Sequence, residues 1–123
     1  MIIGKIINDQ EAAIELEVVS RDQLEKFEII IDTGFSGELT LPGSLIDRLR
    51  LPRVGDLPII LGDGYEVSVE MYLAVVLWHG EKRIVQVLRT DDGKPLIGMS
   101  LLHGNRLILD VITDGEVTIE PLS

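Results

Sequence analysis

A chain of 123 residues, 46% hydrophobic and only 4% aromatic, fits one domain over residues 1–123 and is too apolar to be disordered. Eleven basic residues against 21 acidic ones give a net charge of −10, which offers no basic stripe for a nucleic-acid backbone and disfavours an anionic membrane surface. The absence of cysteine excludes disulfides, thiolate catalysis and cysteine-type zinc sites.

The longest uncharged apolar run, Met71 to Trp78, is far short of the ~20 residues a spanning helix needs. The opening Met-Ile-Ile-Gly-Lys has neither a basic leader nor a long apolar segment, so the expected location is the cytoplasm. The 16 Ile and 11 Val together outnumber the 18 Leu, which favours strands. Gly and Pro are scattered singly, as punctuation between short strands, with no internal repeat.

In chain order, Ile2–Ile7 is a short apolar strand, and in Ala13–Val19 the apolar Ile14, Leu16 and Val18 alternate with Glu15 and Glu17. Leu24–Ile31 begins with charged residues interleaved and ends as Ile29-Ile30-Ile31, the pattern of a strand buried on both faces. Glu38–Leu41 is another short strand. Pro42 to Leu49 reads as one or two helical turns, with Leu45, Ile46 and Leu49 at helical spacing and Ser44 as the N-cap. Leu57–Leu61 and Tyr65–Val69 flank Gly62-Asp63-Gly64, whose glycines suit a tight hairpin tip. Met71–Trp78 and Lys82–Leu88 form a second hairpin around His79-Gly80, and Thr90–Pro95 is a polar loop. Leu96-Ile97-Gly98 precedes a short helix, Met99–His103, stopped by Gly104. Leu107–Val111 and Val117–Glu120 close the chain around Asp114-Gly115. The expected fold class is all-β: a closed, barrel-like domain with one or two short helices.

The chemistry centres on Asp32-Thr33-Gly34. An apolar strand that ends in an acid delivers a carboxylate to the rim of a dry core, and Gly34 allows a sharp turn and the close approach of another group. Alone, the tripeptide is also what an ordinary strand-ending turn looks like. The longer stretch from Ile30 to Gly37 resembles the catalytic loop of aspartic proteases. Leu96-Ile97-Gly98 followed by Met99-Ser100-Leu101-Leu102 resembles the apolar-apolar-Gly element and short helix of that clan. Leu61 to Val67 stands where the flap hairpin of a retroviral-type protease lies. With these elements in the right order from Leu24 to Ile119, the chain resembles the single-domain, retropepsin-like aspartic proteases, in a prokaryotic branch. It departs from the viral pattern at Phe35, Ser36 and Met99, which stand where Ala, Asp and Arg are usual. The viral Asp and Arg pair with each other, so their joint absence leaves no orphan charge. It changes how a substrate backbone would be held, and Phe35 alters the floor of the cleft.

The resemblance implies an aspartic-type endopeptidase that hydrolyses peptide bonds in a peptide or protein substrate. Asp32 would be catalytic, with Thr33, Gly34, Phe35 and Ser36 completing its loop. Gly62, Asp63 and Gly64 would form the flap, with Asp63 adding negative charge above the cleft, and Leu96, Ile97 and Gly98 would support the loop from behind. Water would be the only co-reactant, with no cofactor. In such proteases two carboxylates share one proton, and this chain has one Asp-Thr-Gly. Asp91-Asp92-Gly93 and Asp114-Gly115 lie in polar turns, and Asp110 runs on into Val111-Ile112 without a glycine. The second acid is therefore expected from a second copy, in a two-fold homodimer. By the same resemblance Ile2–Ile7 and Val117–Ile119 would pair across the axis, although ordinary edge strands look the same.

Other sites are weaker. His79 and His103 have no metal-ligand spacing, so no metal is expected. The six serines lack a Gly-x-Ser-x-Gly elbow, and no phosphate loop is present. Trp78 reads as core cover, and Arg48, Arg50 and Arg53 as a solvated face. Two rival readings stay open: a silent dimerisation or peptide-binding module with the same fold, and an unrelated metabolite-binding barrel.

Overall fold

Alternation and β-branched runs become ten strands and two short helices among the described residues of the computed structural model, which are 1–21, 23–91 and 93–123. Asp92, in the Asp91-Asp92-Gly93 turn set aside above, lies outside them. The strands are β1 (Ile2–Ile7), β2 (Glu11–Ser20), β3 (Gln23–Ile31), β4 (Leu39–Pro42), β5 (Arg53–Ile60), β6 (Glu66–Trp78), β7 (Glu81–Thr90), β8 (Leu96–Ile97), β9 (Asn105–Leu109) and β10 (Glu116–Pro121). The helices are α1 (Gly43–Leu49) and α2 (Met99–Leu102).

The strands hydrogen-bond in the order β5-β6-β7-β4-β8-β3-β2-β1-β10-β9, and an additional β6–β2 pairing, with Val18 opposite Val76, closes six of them into a barrel. Strand β2 makes this closure possible because it is long enough to pair β1 through Ala13 and β6 through Val18 along one edge. Its other edge pairs β3 throughout. The side chains pointing inward fill the barrel: Val18, Ile29, Leu39, Leu41, Val76, Val87 and Ile97 are all fully buried. Each such side chain contributes about 1.5–3 kcal/mol of burial. The Ile29-Ile30-Ile31 run is buried along its whole length, as read, because its end joins the parallel pair β3–β8 inside the sheet.

Several boundaries differ from the sequence reading. Pro42 remains extended (φ −66°, ψ 149°), paired with Thr90 at the end of β4, so α1 begins one residue later. Ser44 then falls inside the helix and makes no capping bond. The two predicted strands Tyr65–Val69 and Met71–Trp78 merge, less Tyr65, into one 13-residue strand, β6, since Glu70 interrupts neither the ladder to β5 nor the run into β7. Strand β5 starts at Arg53, before the predicted Leu57, and Pro58 is tolerated because β5 is an edge strand. Helix α2 ends at Leu102, and β9 starts at Asn105, two residues before the predicted Leu107. The His79-Gly80 turn is a two-residue hairpin with both residues at positive φ (53° and 78°), as the twist of paired strands requires. The terminal strands pair with each other inside the chain, Ile2 opposite Ile119, and β10 has β9 on its other edge.

Candidate active site

Asp32 follows the last residue of β3 directly, at the point where the buried strand leaves the barrel. Its backbone is held by β8: the Asp32 N–H donates to the Ile97 carbonyl at 2.9 Å. The chain then turns, with the Phe35 N–H donating to the Asp32 carbonyl at 3.1 Å. The Gly34 N–H donates to Asp32 Oδ1 at 2.9 Å, which orients the carboxylate. A Cβ at Gly34 would lie 3.2 Å from that oxygen, so a side chain here would press on the carboxylate. Asp32 is half-buried, whereas Thr33 and Gly34 are exposed.

The apolar-apolar-Gly segment braces the loop from behind. Leu96 and Ile97 pair Ile30 and Ile31 in parallel. The Gly98 N–H donates to the Glu38 carbonyl at 3.0 Å, the Met99 N–H to the Phe35 carbonyl at 2.8 Å and the Ser100 N–H to the Gly37 carbonyl at 3.1 Å. The Ser100 hydroxyl donates to the Ser36 carbonyl at 2.5 Å. A Cβ on Gly98 would sit 2.2 Å from the Gly37 oxygen and 2.5 Å from the Phe35 ring. Gly98 is thus required by close approach, and Phe35 packs across Gly98 and Gly37 rather than standing in open space. The first turn of α2 is satisfied by the Asp32 loop itself, which supplies backbone acceptors where no side-chain cap exists.

Sequence reasoning missed Glu38. Its carboxylate accepts the Gln86 N–H at 2.9 Å and faces Arg83 at 3.3 Å. Its carbonyl is the acceptor for Gly98, so one residue ties the outgoing end of the loop to β7 and to the start of α2. The acid was visible in the sequence, but its partners lie 45 and 48 positions away and are fixed only by the parallel pairing of Leu39 with Val87.

Gly62, Asp63 and Gly64 lie at the far end of the β5–β6 ribbon, and among the described residues no hydrogen bond joins them to the Asp32 loop. The tip is closed on itself: the Leu61 N–H donates to Tyr65, the Gly64 N–H to Leu61 and the Tyr65 N–H to Asp63 Oδ1 at 3.0 Å. Gly64 takes a positive φ of 88°, while Gly62 does not. Pairs that face each other across the ribbon share a side. Leu57, Val69, Ile59 and Val67 thus make one side apolar, and Asp56, Glu70 and Glu66 lie on the other. The root is clamped by ions. Arg53 meets Asp56 at 2.7 Å and Glu70 at 3.7 Å, and Arg89 meets Glu70 at 3.5 Å and Asp47 at 3.2 Å. Asp56, through its hydrogen bond, and then Glu70 hold the Arg53 guanidinium above its usual range, and the hydrogen bonds that Arg89 donates to Asp47 and then Tyr72 do the same for Arg89. The basic residues read as a solvated face therefore include Arg53 of this clamp, while Arg48 pairs Glu25 at 3.2 Å.

On the other side of the loop, Thr33, Met99, Ser100, Leu102, Asn105 and Leu107 line an open concavity of about 720 Å³. His79 Nε2 lies 2.7 Å from Asn105 Oδ1, whose amide nitrogen donates to the Leu102 and His103 carbonyls. This histidine therefore helps to hold the corner between α2 and β9. Among the described residues no three of His, Asp or Glu are grouped so as to hold a metal.

The fold has solved counterparts. The chain superimposes on a retropepsin-like aspartic protease from Rickettsia conorii with a TM-score of 0.59, over 96% of this chain and 88% of that one, at 20% identity. It also superimposes on the EIAV protease complexed with the inhibitor HBY-793, with a TM-score of 0.56, over 85% of this chain and 100% of the viral one, again at 20% identity. No protein-family model and no curated protein sequence matches the chain. At this identity the likeness defines the architecture: the chain has the retropepsin-like fold over most of its length.

Proposed function

We propose that the chain is one subunit of a homodimeric aspartic endopeptidase, in which Asp32 of each subunit forms the acid–base pair. The reading rests on one observation above all: the half-buried Asp32 carboxylate is oriented by the Gly34 N–H, on a loop whose backbone is pinned to β8 and α2. Rigid placement of the reacting group is what acid–base catalysis needs. Two carboxylates a few ångströms apart do not both ionise readily and share one proton; the aspartic proteases are the standard instance of this coupling. The ionised member takes a proton from water, the water oxygen bonds to the peptide carbonyl carbon, and the protonated member donates to the carbonyl oxygen. Collapse of the resulting diol breaks the C–N bond, the nitrogen leaving with a proton, and yields a carboxylic acid and an amine. Thr33 braces the loop between subunits, and the β5–β6 ribbon covers the substrate with its apolar side, excluding water.

The test is incubation with a diverse peptide mixture between about pH 4 and pH 7, at concentrations where dimer is measured. Cleavage by the native chain that falls at least about a thousand-fold in Asp32→Asn is the expected result. Cleavage that survives the substitution removes Asp32 as catalyst. A dimer that binds peptides and cleaves none is the silent-module alternative, and a strict monomer at high concentration removes the shared acid pair; the unrelated barrel is already set aside by the retropepsin-like fold.

A further inference from the structure

We propose that the outer face of the barrel, beside the root of the β5–β6 ribbon, is a docking groove for an extended segment of a partner protein in which carboxylate side chains stand among apolar ones. The groove is separate from Asp32 and does not depend on the protease reading.

The groove follows from strand register. Val18, Val76 and Val85 are buried in the barrel, so their neighbours along β2, β6 and β7 point outward. Residues directly opposite each other share a side. Leu24 stands opposite Val19, Val19 opposite Val75, and Val75 opposite Ile84. Four adjacent strands thus carry one apolar row across the outside of the barrel, about 14 Å long at ordinary strand spacing. A solvated sheet face is polar, so this row is an exception. Its ends are open, with Leu24 55% and Ile84 66% exposed. Its middle opens into a concavity of about 470 Å³, where Val19, Leu51, Leu73 and Val75 are half-buried. The walls are tied together: the Ser20 hydroxyl donates to the Leu49 carbonyl at 3.3 Å, and the Leu73 N–H to the Pro52 carbonyl at 3.0 Å. Leu24 and Asp32 are about 26 Å apart along β3, which keeps the groove clear of the Asp32 loop.

Two arginines set the charge of the occupant. Of the seven in the chain, Arg48, Arg53, Arg83, Arg89 and Arg106 each meet a carboxylate. Arg21 and Arg50 meet none among the described residues, and both line the concavity. Both also hold a left-handed backbone, at φ 55° and 53°, which favours glycine or asparagine. On the row beside the groove, Lys82 stands opposite Leu77, and the one acid there, Glu17, has Lys26 opposite it. This face therefore gathers more basic than acidic groups on a chain of net charge −10, so it attracts a carboxylate that the rest of the surface repels. The row has the length of four or five residues of extended chain and lies open to solvent, whereas small ligands are enclosed on most sides. An extended acidic and apolar segment matches both its shape and its charge.

The probe is a mixture of fluorescein-labelled peptides, each about eight residues long to span the row, made of Leu, Val, Asp and Ser and read by fluorescence anisotropy. One control mixture has Lys for Asp, and another has Ser for Leu and Val. The acidic apolar mixture is expected to bind the full chain, more weakly as salt rises, and the controls are not. Repeating the titration in Asp32→Asn keeps a cleaved probe from being mistaken for an unbound one. Arg21→Asn combined with Arg50→Asn suits the left-handed backbone and is expected to weaken binding about tenfold, with the circular dichroism unchanged. Ile84→Ser, at an exposed position, is expected to weaken it several-fold. If the double variant does not fold, Ile84→Ser and the control mixtures decide. Absence of binding, equal binding of the Lys mixture, or an affinity indifferent to these substitutions overturns the proposal. So does binding of dodecanoate without binding of the peptides, which makes the groove a site for a small amphiphile. Self-association that is lost when Arg21 and Arg50 are replaced makes the occupant a second copy and overturns it too.

Discussion

The Asp32 loop, between β3 and β4, and the tip of the β5–β6 ribbon both connect strands of the one sheet, yet they are held in opposite ways. The loop is fixed along its length by backbone bonds to Ile97, Gly98, Met99 and Ser100, and at its outgoing end by the Glu38 carboxylate, which accepts from Gln86 of β7. The ribbon is fixed only at its root, by the Arg53, Glu70 and Arg89 clamp, and beyond Asp56 and Glu70 its ladder bonds run only between its own two strands. Its exposed apolar residues, among them Ile60 and Tyr65, have no partner in the barrel. Under the function proposed above the contrast is a division of labour, since an acid–base group needs firm placement while a cover must be able to leave. Few tertiary bonds and high exposure are the structural marks of a low-stability segment.

The comparison breaks most sharply at Gly98. Gly98→Ala places a methyl 2.2 Å from the Gly37 oxygen, so the loop and α2 must separate. The expected cost is about 3 kcal/mol by urea denaturation, with cleavage lost together with stability. An unchanged midpoint would mean that the brace is slack.

Glu38→Ala is the next largest. It strips the Gln86 N–H of its acceptor and leaves Arg83 unpaired, at an expected cost of about 1–2 kcal/mol. Glu38→Gln keeps an acceptor for Gln86 and is expected to recover about half of that. Because this pair acts through the loop, peptide cleavage should fall in kcat more than it rises in KM.

The ribbon gives the smallest effects on stability. Gly64→Ala forces an alanine to a φ of 88°, at about 1 kcal/mol locally, whereas Gly62→Ala has open space, no positive φ and almost no expected cost. Under the cover reading, Gly64→Ala slows cleavage several-fold while the global unfolding midpoint, set by the barrel, hardly moves. If both substitutions shift the midpoint equally, the tip is part of the folding unit and the contrast with the loop fails.

Much of this architecture was legible before any coordinates. The alternation of Ile14, Leu16 and Val18 named the buried face of β2, and Ile29-Ile30-Ile31 named the strand that carries Asp32 inside the sheet. Gly98 and the tip glycines stood out because a missing Cβ marks either close approach or a turn. The ends of elements were less legible. Pro42 belongs to β4 because it pairs Thr90, and β6 runs unbroken through Glu70 because β5 lines its distal half. Neither partner is near in sequence.

By itself the sequence determined the local chemistry: which runs are apolar and on which side, where the backbone must turn, and that each chain carries a single acid on a buried strand followed by Thr-Gly. Those properties depend on neighbouring residues and on the presence or absence of a Cβ. Only the tertiary structure decided that β2 and β6 close the barrel, that Glu38 reaches Arg83 and Gln86, and that the terminal strands are spent on each other while β9 keeps a bare edge. The physical reason is that strand pairing is a competition among distant segments for the same backbone donors and acceptors. Its outcome is set by how the whole sheet is satisfied and not by any one segment's composition.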